Sequence, residues 1–120
     1  MPTIAVIGAS ADRSKFGNRC VRAYAAKGWT VLPIHPRETA IEGLTAYRTI
    51  ADVPAGTIDR VSVYLSAALG LPVMDEIAER GDVAEVMLNP GADDEAVVEK
   101  ARSLGLNVVT GCSLIALGEH

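Results

Sequence analysis

Apolar residues along this chain come in short runs, separated by longer segments in which they recur every third or fourth position. Thr3 to Ile7 is a run rich in β-branched side chains and ended by Gly8, the pattern of a strand buried on both faces of a parallel sheet. The loop Gly8 to Lys15 follows, then Phe16, Cys20, Ala23 and Tyr24 at helical spacing, with Gly28 closing the helix. Thr30 to Ile34 is the second strand, so the first three elements make one β-loop-α-β unit with a right-handed crossover.

His35 to Arg60 has no clear period and carries Pro36, Gly43, Pro54 and Gly56. Parallel strands need a crossover here, so this stretch is expected to run across one face of the sheet, with one helical turn around Tyr47 to Asp52. Val61 to Leu65 is the third strand. A helix is predicted to start at Pro72, a residue favoured at a first helical position, with Val73, Met74, Ile77 and Ala78 as its apolar stripe and Gly81 at its end. Ala84 to Leu88 is the fourth strand. Asp93 or Asp94 caps the next helix, whose inward side is Val97, Val98, Ala101 and Leu104. Asn107 to Val109 is a fifth strand and Ser113 to Leu117 a last short helix. The alternation predicts a doubly wound α/β fold: a Rossmann-like parallel sheet of about five strands in three α/β/α layers, with residues 1–120 as one domain.

Composition narrows the function classes. The 120 residues are 49% hydrophobic with a formal net charge of -4, which suits a globular domain and weighs against general nucleic-acid binding through a basic surface. Two cysteines far apart in sequence, Cys20 and Cys112, make neither a disulfide framework nor a metal-ligand spacing. The start reads as a strand and not as a signal peptide, and no apolar run approaches the about 20 residues that span a bilayer. The expected address is the cytoplasm, with no membrane partner.

In such sheets ligands bind at the carboxyl ends of the strands, near the point where strand order reverses. The first loop there is the most informative. Gly8, Ala9 and Ser10 are small enough for backbone N–H groups to approach an anion, the following helix points its positive end the same way, and Ser14, Arg13 and Lys15 add a hydroxyl and charge. Together they form a candidate diphosphate cradle. The loop is not GxGxxG, because the next glycine is Gly17, and there is no GKS or GKT. An NAD site also wants an acid at the end of the second strand. That position reads Ile34-His35-Pro36-Arg37, a basic pair that favours a phosphorylated ribose. Both NADP and coenzyme A carry a phosphate there.

Val6-Ile7-Gly8-Ala9-Ser10, then Arg13, Lys15-Phe16-Gly17 and His35-Pro36, resemble the small CoA-binding domain proteins, relatives of the CoA-binding amino-terminal domain of the succinyl-CoA synthetase alpha subunit. Tyr47, Ile50, Val53 and Pro54, then Asn89-Pro90-Gly91-Ala92, Gly105-Leu106, Val108, Val109 and Cys112 extend the resemblance over essentially the whole chain. It implies that Gly8, Ala9, Ser10 and Lys15 hold the CoA diphosphate, that Pro36 and Arg37 flank the adenosine and its ribose phosphate, and that Val63 and Tyr64 pack near the adenine. The chain departs from the family in two places. His35 stands where asparagine is common, and Ser66-Ala67-Ala68 where many relatives carry a proline.

The resemblance also implies no catalysis in this chain, since the synthetase chemistry uses a phosphorylated histidine in a separate domain. Here His35 sits at the nucleotide site and His120 is terminal. Asp93-Asp94-Glu95 reads as a capping run at a helix start rather than a metal site. Cys112 is expected near the ligand side before a short helix, as a buried apolar cysteine or as a thiol able to form a mixed disulfide with CoA. Three functions remain open: a non-catalytic CoA or acyl-CoA binding module, an NADP-binding or oxidoreductase-associated domain, and a scaffold acting through homodimer contacts.

Overall fold

The computed structural model describes residues 1–118, so His120 lies outside the described residues. Its main sheet holds five parallel strands: β1 (Thr3–Ile7), β2 (Thr30–Ile34), β5 (Arg60–Val63), β6 (Val86–Leu88) and β7 (Val108–Thr110), in the order β2-β1-β5-β6-β7. The chain moves outward from β1 to β2, then returns past β1 to build β5, β6 and β7 on the other side. With right-handed crossovers, this reversal puts the crossover helix before it and the crossover helices after it on opposite faces. Helices α1 (Phe16–Ala26) and α4 (Ser113–Ala116) lie on one face, and α2 (Ala67–Arg80) and α3 (Glu95–Ser103) on the other. The predicted three-layer fold is therefore the one observed.

The residues of β1 show why the strand pattern reads as continuous apolar. Ile4 and Val6 pack into the α1 layer, while Ala5 and Ile7 pack into the α2 and α3 layer. Strand β5 keeps the same alternation with one exception: Val61 and Val63 face α2, but the buried residue between them on the α1 side is Ser62. Its hydroxyl lies 2.7 Å from that of Ser113 and accepts a hydrogen bond from Asn89 Nδ2 at 2.9 Å. Asn89 Nδ2 also donates to the Val63 carbonyl at 2.9 Å, and its Oδ1 accepts from the Ser113 N–H at 2.8 Å. Tyr24 then donates to the Ser113 carbonyl at 2.6 Å. This string satisfies polar groups that burial would otherwise penalise and ties the start of α4 to the ends of β5 and β6. Asn89-Pro90 thus works inward, as a clamp.

Several boundaries differ from the sequence pattern. The third strand is Arg60–Val63, the fourth starts at Val86, the fifth ends at Thr110 and the last helix ends at Ala116. Helix α2 begins at Ala67, so Pro72 lies inside it and not at its first position. A proline there gives no N–H to the carbonyl one turn back, that of Ala68, and Ala68 is exposed. Asp94, not Asp93, caps α3 by accepting from the Ala96 N–H at 2.9 Å. Phe16 and Leu104 are exposed rather than inward, because each sits at a helix end beyond the reach of the sheet.

The irregular crossover contains a hairpin that the pattern did not reveal, β3 (Ala40–Ile41) and β4 (Leu44–Thr45). Its turn residues Glu42 and Gly43 both have positive φ, 52° and 76°, the conformation of a tight hairpin turn. A 3-10 turn, Ile50–Asp52, follows. One side chain ties the end of the crossover to α2. Arg80, at the end of α2, donates to the carbonyls of Ile50 (2.9 Å), Val53 (2.7 Å) and Pro54 (3.1 Å) and forms a two-pronged pair with Asp82 at 2.9 Å. That pairing holds the Asp82 carboxyl below the usual carboxylate range.

Arg80→Leu is expected to lower stability by about 2–3 kcal/mol, because charge-assisted bonds to several carbonyls are lost together; urea denaturation measures it. The Asp82 contribution is complete above the unfolded carboxyl pKa and is lost as pH falls through its lowered folded value. The stability difference between wild type and Asp82→Asn is therefore expected to be flat from about pH 5 to 8 and to shrink below about pH 4.

Candidate functional site

The strand order reverses between β1 and β5, and a cavity of about 540 Å³ opens at their carboxyl ends. Its floor comes from Gly8, Ala9 and Ser10 after β1, one wall from His35 and Pro36 after β2, and the opposite wall from Tyr64 and Leu65 after β5. Leu69, Pro72 and Val73 of α2 extend that wall as an apolar shelf ending at Glu76, while Arg48, Thr49 and Ile50 of the crossover close the β2 side.

Two glycines bring the floor together. Gly8 has φ +90°, and a Cβ on it would lie 2.7 Å from the Tyr64 carbonyl oxygen. A Cβ on Gly17 would lie 2.2 Å from the Gly8 carbonyl oxygen. No other residue type lets the first turn of α1 approach the end of β1 this closely. That first turn is also left open. Lys15 is its N-cap residue, no side chain caps it, and it carries no acid. Helix α3, by contrast, is closed by Asp94 and has Glu95 in its first turn. The start of α1 therefore keeps its free N–H groups and partial positive charge for an anion from outside the protein.

The loop between β1 and α1 is braced from within. The Asp12 N–H donates to Ser10 Oγ at 3.0 Å, and Ser14 donates to Asp12 Oδ1 through both its N–H (3.0 Å) and its hydroxyl (2.7 Å). The bonds from Ser14 hold the Asp12 carboxyl below its ordinary range. Fully buried Asn18 donates to the Ser10 carbonyl at 2.8 Å and to Glu42 at 3.1 Å, joining the loop to the hairpin. Ser14 therefore serves the loop, whereas the Ser10 hydroxyl only accepts within it and keeps its hydrogen for a ligand.

Residues 2–118 match the family described as CoA binding domain. The chain belongs to that family. Among curated proteins it is 26% identical over 116 residues to the alpha subunit of ADP-forming acetate–CoA ligase II of Pyrococcus furiosus, covering 88% of this chain and 25% of that protein. A conserved hypothetical protein from Pyrococcus furiosus superposes with TM-score 0.82 at 28% identity, covering 92% of this chain and 93% of that one. The dinucleotide-forming acetyl-coenzyme A synthetase 1 of Ca. Korarchaeum cryptofilum superposes with TM-score 0.75 at 30% identity, covering 89% of this chain and 25% of that one. The chain thus spans about a quarter of the length of the ligase subunit and of the synthetase.

Of the site residues read from sequence, this CoA binding domain brings Gly8, Ala9, Ser10, Lys15, His35, Pro36 and Tyr64 to the cavity. The others stand apart from its lining. Arg13 pairs with Glu42 at 3.4 Å. Phe16 is 58% exposed under the Arg19 guanidinium. Gly17 acts through packing, Val63 is fully buried in the core, and Arg37 is exposed on the loop after Pro36. The Tyr64 hydroxyl is buried and so not presented to the cavity, and burial, with Cys20 nearby, pushes its pKa up. Cys112 is half-buried with a free thiol and does not line the cavity.

His35 explains itself. Its Nδ1 accepts the N–H groups of Arg37 (3.0 Å) and Glu38 (2.8 Å), so its proton is on Nε2 and the ring fixes the turn after β2. Cavity residues that sequence reasoning missed include Arg48 and Thr49 in the aperiodic crossover, and Val73 and Glu76, which the early start of α2 brings in. Ser66, a residue type favoured at N-caps, was the available signal for that start.

Gly17→Ala is expected to push α1 away from β1, to lower stability by about 1–3 kcal/mol and to weaken nucleotide binding at the cavity. Thermal unfolding and calorimetric titration of the same variant check both effects.

Proposed function

We propose that this chain is a non-catalytic module that binds coenzyme A or an acyl-CoA. The observation that carries the reading is the uncapped, acid-free start of α1, pressed onto Gly8 at the mouth of a mostly apolar cavity. A diphosphate there receives backbone N–H groups from the Gly8-Ser10 loop and the first turn of α1, the Ser10 hydroxyl and the Lys15 ammonium. The adenosine lies between Pro36 and the shelf made by Leu65, Leu69 and Val73. Family membership supports CoA as the ligand, and the printed names of two relatives, an acetate–CoA ligase subunit and an acetyl-coenzyme A synthetase, fit it. The matched part is about a quarter of each of those proteins, so the reading gives this chain the holding of the nucleotide and not the chemistry.

NADP is the competing nucleotide. The end of β2 presents His35 and no carboxylate, which disfavours an unphosphorylated ribose diol but leaves both phosphorylated nucleotides in play.

Calorimetric titration of the purified protein with CoA and with NADP tests the reading. Binding of CoA at micromolar level with NADP much weaker is expected; the reverse order would overturn the proposal. Lys15→Ala is expected to weaken CoA by about 1–3 kcal/mol, and unchanged affinity would remove Lys15 from the site.

A further inference from the structure

We infer that Arg48 is the residue that selects for a nucleotide carrying a phosphomonoester on its ribose, in addition to the diphosphate. This rests on the nucleotide reading of the cavity given above. Arg48 lines that cavity beside Thr49 and Ile50, next to the bridge that Tyr47 makes with the edge of β2. Among the described residues its guanidinium has no hydrogen bond or ion pair, although Glu76 lines the same cavity. Its five N–H donors are thus free for a ligand.

The backbone on either side of Arg48 is pinned. The Tyr47 N–H donates to the Pro33 carbonyl at 2.9 Å and the Tyr47 carbonyl accepts from the His35 N–H at 2.8 Å, a parallel bridge that adds Tyr47 to the edge of β2. On the other side, Thr49 donates to Asp52 Oδ2 through its N–H (3.2 Å) and its hydroxyl (3.0 Å), capping the 3-10 turn, and Ile50 is buried. Arg48 therefore projects from a fixed point about two strand spacings, roughly 10 Å, from β1 and its diphosphate loop. That side is where a ribose lies when its diphosphate sits at Gly8 and its base leans on the shelf of α2.

Arg37, the arginine that sequence order alone suggests, extends from the exposed loop after Pro36 and does not line the cavity. Both arginines are exposed and must be ordered by a ligand, but only Arg48 starts on the cavity wall. A guanidinium meets phosphate with two parallel N–H bonds, so the preference should be stronger with arginine than with a lysine of the same charge.

Calorimetry with CoA and dephospho-CoA on wild type, Arg48→Gln, Arg48→Lys and Arg37→Gln tests the assignment. Wild type is expected to prefer CoA by about ten- to hundred-fold. Arg48→Gln is expected to remove that preference by weakening CoA while leaving dephospho-CoA unchanged, and Arg48→Lys to restore part of it. A preference that survives Arg48→Gln, equal loss for both ligands, or loss through Arg37→Gln instead would each overturn the inference. Wild type that binds both ligands equally overturns the inference alone. Wild type that binds neither overturns the proposed function together with it.

Discussion

The close approach of α1 to the end of β1 is the constraint on which the rest of this structure depends. The Gly17 backbone occupies space beside the Gly8 carbonyl that any Cβ would fill. This contact aims the open end of α1 at the cavity floor. It also sets the height at which Cys20, Val21 and Tyr24 meet Ile4 and Val6 in the α1 layer. Gly8 is constrained twice, by its positive φ and by the Tyr64 carbonyl on the other side. One point in the chain thus fixes the spacing of β1, β5 and α1, and the cavity is what remains between them.

Around that point the polar groups divide into those that brace and those left free. Asp12, Ser14, Asn18, Glu42 and Arg13 satisfy one another and the loop backbone. Ser62, Asn89 and Ser113 do the same beneath the strand ends, and Arg80 with Asp82 does so for the crossover. The bracing groups are buried or paired, so ordering them is completed by folding. The polar residues that line the cavity include Ser10, Lys15 at the N-cap of α1, Arg48 and Glu76. A site arranged this way needs little further ordering when a ligand arrives, which is the condition under which modest contacts produce affinity.

The fold was legible because its signals are local and repeated. The boundaries of β1 and β2 follow from β-branched runs ended by Gly8 and by His35-Pro36, and the ends of α1 and α2 follow from glycines. The glycine loop was legible for the same reason: small residues between a strand and a helix have few uses. The crossover was not, because its position comes from distant partners. Tyr47 is placed by the backbone of β2 and residues 50–56 by Arg80, and neither leaves a period in the sequence. The departure at His35 has its reason in the turn after β2. Imidazole Nδ1 accepts the same kind of backbone N–H bonds that a turn asparagine accepts through its amide oxygen. The substitution conserves the turn and changes only the ring beside the cavity.

The net charge of -4 and an anion site in one small molecule are compatible because the two act at different ranges. At physiological ionic strength charges separated by more than about 8 Å of solvent are largely screened. Acids turned away from the cavity, such as Asp75 paired with Lys100 at 2.6 Å, therefore contribute little there, whereas Glu76 lines the cavity and acts directly. Lys15, Arg48 and the N–H groups of α1 act within contact distance, beside apolar walls that strengthen their field. The helix end and the lysine differ in one useful respect. Backbone dipoles are fixed by folding and keep their orientation, while an ammonium on a flexible stem must be ordered by its partner. The first gives the site its position on the fold, and the second adds attraction once an anion is there.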